Sequence, residues 1–409
     1  MSVIKNVIVL GMHPYPWHDD KMSDTMRSMT RAFSGVRPVF INPSVGFKRA
    51  LTEKYALRFA WSFVEDGAVL VCTRPFEKVP SSFGLGNVKS RRTLQQLNAF
   101  IQSVLGEGWR KNSLLYLSSG GIAQSYETMK ALTPLLMAFD ILDDNLAFPG
   151  ISSREKAMLD AFFTELISRS TVVTAVSDHL FEKISKSHPE KIKLLPNGVD
   201  VDRYVHRDDF TEEIGELRHL ERPLIGFVGA ITSWIDLELL LKIADGLSRG
   251  TLVMVGPVIQ EAVPRDLFER LTSHPRVTFT GPVSTQRVPH FLHQFDVLLL
   301  PRNYAPHSLA SDPLKLYEYM ATGKPVVSTA LPSALRFQDA IYVGQGHEEI
   351  LALLQKALDD WPRERSQKCR DAIATMTWEN RAKKLLEWVE ASAVSLAPAT
   401  TAASARRLH

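Results

Sequence analysis

The chain alternates short apolar runs with longer stretches in which apolar residues recur every three or four positions. Apolar runs closed by Gly, Pro or Asn predict buried strands, and the longer periodic stretches predict helices. In the first half this reading places strands at 6–10 (NVIVL), 37–41, 113–117, 135–139, 171–176 and 191–195. Helices are predicted at 21–33, 93–105, 153–168 and 178–186. The pattern begins again at 223–229 (PLIGFVG), with strands at 251–255, 277–280, 297–300 and 341–343. Helices at 236–247, 288–294, 348–358 and 377–394 complete it. Strands that are apolar on both faces belong in parallel sheets covered by helices. Two doubly wound α/β domains are therefore expected, without a visible sequence repeat.

The densest chemistry lies in 308–329, SLASDPLKLYEYMATGKPVVST, read as a loop, one short helix and a buried strand. Ser311 or Asp312 is a candidate cap, and Pro313 suits the first helical position. Gly323 suits a left-handed stop, followed by Pro325. Lys315 and Glu318 stand three apart, hence on one face, near the helix N-terminus. Unpaired N–H groups and a lysine there suit a phosphate, and a carboxylate one turn on suits a ribose diol. An intrahelical Lys–Glu pair on a solvated face is the plain alternative. The apolar sequence around the pair argues for burial, and buried charges need partners.

At 409 residues the chain accommodates two cores. With 45% apolar and 23% charged residues it reads as an ordinary globular protein. A net charge of +3, with no zinc-finger spacing or RNA-binding aromatic signature, gives no ground to expect a nucleic-acid partner. Two distant cysteines, Cys72 and Cys369, suggest neither a disulfide framework nor a thiolate metal site, and point to a reducing compartment. No apolar run reaches the length of a membrane span. The expected setting is cytoplasmic. Segment 47–63 interleaves Lys48, Arg49, Lys54 and Arg58 with five aromatic residues, and a second basic cluster is Lys89, Arg91 and Arg92. Such mixtures suit peripheral contact with the inner face of a cell membrane, or a loop and strand with solvated lysines.

Ligands of open parallel sheets lie beyond the strand C-termini. Two stretches qualify in the first half. The loop after 6–10 holds His13, Tyr15, Trp17, His18, Asp19 and Asp20, a candidate acceptor contact or a packing loop. The strand at 135–139 runs into Asp140, Asp143 and Asp144, three carboxylates that repel unless solvated or partnered. Asp200-x-Asp202 follows the Asn197-Gly198 turn. It lacks the flanking apolar strand that a metal site for a sugar diphosphate needs, and is read as a domain boundary.

With these residues in place, the chain resembles the GT-B glycosyltransferases of family 4 (group 1). VTAVSDHLFEKI…KIKLLPNGVD resembles that family's approach to the hinge. PLIGFVGAITSWIDLELLLKIA resembles the first strand and helix of its donor domain, and SDPLKLYEYMATGKPVVST its nucleotide-sugar signature. The resemblance covers 172–328 well and the first domain weakly. It implies two Rossmann-like domains with parallel sheets and an interdomain cleft: 1–202 for the acceptor, 203–376 for the nucleotide sugar, a helix at 377–396 crossing back, and a disordered tail at 397–409. Donor contacts are expected from Glu318, Lys315, Gly229, Ser311, Asp312 and Leu314, and the place of His13, Trp17 and Asp144 beyond strand C-termini makes them the candidate acceptor contacts. Two departures stand out. The first glutamate of the family's pair falls on Ala310. Its diphosphate-binding Arg and Lys have no match in Ala230–Asp236, so Lys315 takes the phosphate role.

DPLKLYEY is also similar to the signature of the inverting xanthan-type glucuronosyltransferases, in which the match for the catalytic base is Asp143. AFDILDD resembles a subgroup of exopolysaccharide and teichuronic-acid transferases. Both stereochemical outcomes stay open, with Asp143 favouring inversion. The implied function is sugar transfer from a nucleotide diphosphate, UDP first among them, to a saccharide or lipid-linked saccharide in surface-polysaccharide biosynthesis. No metal or other cofactor is expected. The alternatives are a nucleotide-sugar epimerase on the same fold, or an inactive nucleotide-binding subunit of a polysaccharide-assembly complex.

Overall fold

In the computed structural model the described residues are 4–11, 17–18, 24–42, 61–73, 91–120, 128–132, 136–205, 210 and 214–396. The chain divides into two units. Unit 1 comprises Met1–Val176, Phe181–Leu195 and Arg381–His409, and unit 2 comprises Ser177–Leu180 and Pro196–Asn380.

Among the described residues, unit 1 holds an eight-stranded sheet. Its strands are β1 (Asn6–Leu10), β2 (Arg37–Ile41), β3 (Ser62–Asp66), β4 (Val69–Thr73), β5 (Ser113–Ser118), β6 (Leu136–Ile141), β7 (Val172–Ala175) and β8 (Ile192–Leu194). Their order is β3-β4-β2-β1-β5-β6-β7-β8, parallel except for the β3–β4 hairpin. A strand near the end of segment 47–63 was one of the two readings; its antiparallel pairing with β4 was not expected. Trp61, Ser62 and Phe63 were read as the end of a basic-aromatic segment. They lead into the antiparallel edge strand, and Trp61 stacks on Phe100 at 5.3 Å. Residues 47–60, Lys89, and the side chains of Arg91 and Arg92 lie outside what is described.

Unit 2 holds a six-stranded parallel sheet, ordered β11-β10-β9-β12-β13-β14. Its strands are β9 (Leu224–Val228), β10 (Thr251–Val255), β11 (Val277–Gly281), β12 (Val297–Leu300), β13 (Val326–Thr329) and β14 (Tyr342–Gly344). β9, β10, β12 and β13 are buried at every position, as their unbroken apolar runs require. Helices Arg265–Thr272 and Arg363–Ile373 were not anticipated. Both are charge-rich, and few of their residues reach the core, which weakens the apolar signal. Each sheet reverses strand order beside its first strand, between β1 and β5 in unit 1 and between β9 and β12 in unit 2. The crevice beyond the strand C-termini at such a reversal is where open α/β sheets bind ligands.

Unit 1 is tied together by one buried ion pair. Arg381, on the C-terminal helix Trp378–Leu396, places Nη2 at 3.0 and 2.8 Å from the two oxygens of Asp140 on β6. Both side chains are almost fully buried. Tyr116 and Thr174, from β5 and β7, also donate hydroxyl hydrogen bonds to Asp140. Burial, and then the Asp140 charge, push the Tyr116 phenol well up, so it remains a protonated donor. Removing one partner of such a pair leaves the other charge uncompensated. Arg381→Ala is therefore expected to lower stability to urea by about 3–5 kcal/mol, with a smaller loss when Asp140→Asn is added.

Candidate active site

The strand-order reversal in unit 2 sets the site. β9 runs out into Gly229, and β12 into Pro301 and Arg302. The Gly229 N–H donates to the Val255 carbonyl at 2.7 Å, and its φ of +148° lies where side chains are rarely tolerated. A Cβ there would stand 1.7 Å from Lys315 Cε and 2.5 Å from Nζ. The missing side chain at 229 is the space that Lys315 fills.

Lys315 projects from the second position of the Leu314–Thr322 helix, and Glu318 follows one turn on. The helix is otherwise deeply packed through Leu316, Tyr317, Tyr319 and Met320. Its stop is as expected, with Gly323 left-handed at φ 68° and its N–H on the Met320 carbonyl. Its start is not. Pro313 is itself the cap residue rather than the first helical one, and no side chain caps the helix. The candidate cap Asp312 is turned to other partners. Its carboxylate pairs with Arg336 at 2.6 Å, accepts from the Tyr317 hydroxyl at 2.9 and 2.8 Å, and accepts from the Asn197 N–H at 2.9 Å. Burial and the Asp312 charge push the Tyr317 phenol well up, which keeps it a donor. Ser311 accepts from Arg302 Nη2 at 2.8 Å and donates to the Ser308 carbonyl. Both residues hold the loop. Leu314 is half-buried at the helix start.

Without a capping side chain, the first turn of this helix keeps N–H groups that can meet an anion. Lys315 adds a full charge. Its ammonium makes no hydrogen bond or ion pair among the described residues. Burial pushes its pKa down; Glu318 opposes the shift and Arg302 adds to it. The Arg302 guanidinium lies 5.0 Å from the ring centroid of Trp234. His307 lies beyond that ring, with centroids 6.3 Å apart, and burial followed by the Arg302 charge lowers its pKa. Glu318 Oε1 accepts from the Tyr204 hydroxyl at 2.8 Å, while Oε2 accepts no hydrogen bond among the described residues. Lys315, Glu318, Gly229, Ser311, Asp312 and Leu314 are thus brought together at one end of one sheet.

Arg302, Trp234, His307 and Tyr204 were missed. Arg302 carried a usable signal, as a cation directly after the apolar VLLLP run. Nothing in the sequence pairs Tyr204 with Glu318, which lies 114 positions later.

In unit 1 the three aspartates separate. Asp140 is held by Arg381, and Asp144 is buried against Lys183 Nζ at 2.7 Å. Asp143 is half-buried just past β6, with its N–H 3.4 Å from Ser119 Oγ. Trp17 is buried, its ring 4.9 Å from Phe40 and its indole N–H on Asp66. The indole hydrogen bond, then Arg31, holds the Asp66 carboxyl below its usual range. The indole N–H of Trp17 and one carboxylate oxygen of Asp144 are therefore engaged inside unit 1. His13 lies outside the described residues. Asp200 caps the Val201–Tyr204 helix through the Arg203 N–H. No group of three or more His, Cys, Asp or Glu side chains suited to a metal ion occurs among the described residues, and no described helix is long and apolar enough to cross a membrane.

Residues 222–360 match the family described as glycosyl transferases group 1. A curated relative, the putative teichuronic acid biosynthesis glycosyltransferase TuaH of Bacillus subtilis (strain 168), is 28% identical over 247 residues. That match covers 58% of this chain and 61% of the relative, so the chain spans less than two thirds of the relative's length. Among solved structures, sucrose-phosphate synthase from Thermosynechococcus elongatus aligns with a TM-score of 0.69 at 13% identity, over 96% of this chain and all of that one. Anabaena HepE in complex with UDP and glucose aligns at 0.65 and 14% identity, over 93% and 98%. These similarities, with two mostly parallel α/β sheets, show the GT-B fold.

A desolvated cation weakens the free protein. Lys315→Met is expected to raise the melting temperature of the ligand-free protein near neutral pH. The folded-state pKa of Lys315 lies below its ordinary 10.5. Its cost is therefore complete below that folded value and falls as pH rises toward 10.5. The gain from Lys315→Met should shrink over the same window, as thermal melts at stepped pH will show.

Proposed function

We propose that this protein transfers a sugar from a nucleotide diphosphate, UDP first among them, to a saccharide or lipid-linked saccharide in polysaccharide biosynthesis. The observation that carries the reading is Lys315: a half-buried ammonium seated on the Gly229 turn, at an uncapped helix start, with Glu318 one turn deeper. The family match over 222–360 supports it, as do the teichuronic-acid biosynthesis name of the relative and the UDP in the HepE complex. Unit 2 takes the nucleotide sugar and unit 1 the acceptor.

The chemistry follows from charge. The acceptor hydroxyl oxygen bonds to the anomeric carbon. The bond from that carbon to the diphosphate oxygen breaks, and its electron pair stays on the phosphate. Lys315, Arg302 and the helix N–H groups offset the developing charge, the dominant electrostatic demand of the step. The proposed step uses no metal. Glu318 accepts hydrogen bonds from the ribose. Asp143 takes the acceptor proton, the role of a base in an inverting transfer, where the hydroxyl attacks from the face opposite the leaving diphosphate.

Calorimetry with UDP, GDP, ADP and dTDP tests the site. One nucleotide, expected to be UDP, should bind at micromolar affinity. Lys315→Ala should weaken binding by about 1.5–3 kcal/mol, the scale of a charged hydrogen bond, and Glu318→Ala should also weaken it. Unchanged binding in Lys315→Ala removes Lys315 from the site. In turnover assays, Asp143→Asn should lower kcat by about 10²–10⁴-fold, the usual range for a general base, and leave donor affinity nearly intact. An equal loss in Asp144→Asn, in a protein whose melting curve shows it folded, would count against Asp143.

A further inference from the structure

One oxygen of Glu318 is already engaged. Tyr204 is 4% exposed and ends the short Val201–Tyr204 helix, and its hydroxyl donates to Glu318 Oε1 at 2.8 Å. The phenol is held from several sides. Its ring belongs to the core cluster that contains Leu316, Tyr317 and Tyr319. Its carbonyl is 2.8 Å from His293 Nε2. The preceding residue, Arg203, reaches the Thr285 carbonyl, so the short helix is also fixed from outside.

A glutamate on a helix has three side-chain torsions, and its terminal one is broad. A single donor from a rigid ring fixes one oxygen and so directs the other. Oε2 is the oxygen that accepts no hydrogen bond among the described residues. A functional group is positioned well when the side chain holding it is itself locked by packing. Tyr204 meets that condition, and the phenol can only donate to an ionised carboxylate.

We propose that Tyr204 is a positioning residue for ribose selection. It holds Glu318 so that Oε2 is presented to the two ribose hydroxyls, and thereby sets the preference for a ribonucleotide over one lacking them. The inference rests on the reading of Glu318 as the ribose contact. A merely structural Tyr204, satisfying its own buried hydroxyl, would change stability and leave the sugar preference alone.

The test compares UDP with 2′,3′-dideoxy-UDP by calorimetry, for the wild type, Tyr204→Phe, Glu318→Gln and Glu318→Asp, with melting curves to check folding. The wild type should prefer UDP. Tyr204→Phe should reduce the ratio of the two affinities by about three- to tenfold, the loss of part of a charged hydrogen bond, through weaker UDP binding alone. Glu318→Asp shortens the carboxylate out of the reach of Tyr204. It should lose the preference too, and adding Tyr204→Phe to it should change nothing further. A Tyr204→Phe protein with the wild-type ratio, beside a Glu318→Gln protein that has lost it, overturns the role of Tyr204 while Glu318 stands. A further loss in the double variant also counts against it. Equal binding of the two nucleotides by the wild type, or an unchanged ratio in Glu318→Gln, overturns the ribose reading itself.

Discussion

A buried carboxylate, Asp312, holds the loop from which the site projects. Its oxygens are claimed by Arg336, by the Tyr317 hydroxyl and by the Asn197 N–H, and the Asn197 side chain returns a bond to the Asp312 carbonyl. The Ser177 hydroxyl closes the same loop by donating to the Ala310 carbonyl. A charge without water must collect such partners. The consequence is a fixed entry into the Leu314–Thr322 helix and a first turn that no side chain caps. The residue best suited by type to cap this helix instead fastens its loop. The open helix start is therefore a result of satisfying a buried charge nearby.

The second constraint is steric. Lys315 can lie against the end of β9 only because position 229 has no side chain and a backbone conformation that suits glycine. The resulting amine is partly desolvated, with Arg302 close enough to lower its pKa further. Two cations held near each other raise the energy of the free protein, and under the proposed function the diphosphate would offset both. Stability and binding are thus set against one another at one residue, a trade familiar wherever a site is built for charge.

Unit 1 settles a similar problem differently. Its sheet brings Asp140, Asp143 and Asp144 to the end of one strand, and such crowding favours ionisation only with compensation. Arg381 neutralises the first from the far end of the chain, and Lys183 the third. The three aspartates look equivalent in sequence because each follows the same apolar run. Their partners lie 241 and 39 positions away and cannot be read from spacing.

The sequence by itself determined the two α/β units. Unbroken apolar runs specify strands covered on both faces, and β1, β2, β10 and β12 lie at the positions the pattern predicts. It also determined that Lys315 and Glu318 share a helix face, since helical periodicity is local. Tertiary structure decided the rest. The β3–β4 hairpin sits at a sheet edge, where β3 has no buried residue and so no apolar run, although β4 (VLVCT) carries one that was readable. The choice of Asp312 as a loop anchor, of Gly229 as the seat for Lys315 and of Tyr204 as the partner of Glu318 all depend on packing between distant segments. Local propensity fixes which residues point the same way along one element. Only the fold decides which buried charge finds which partner.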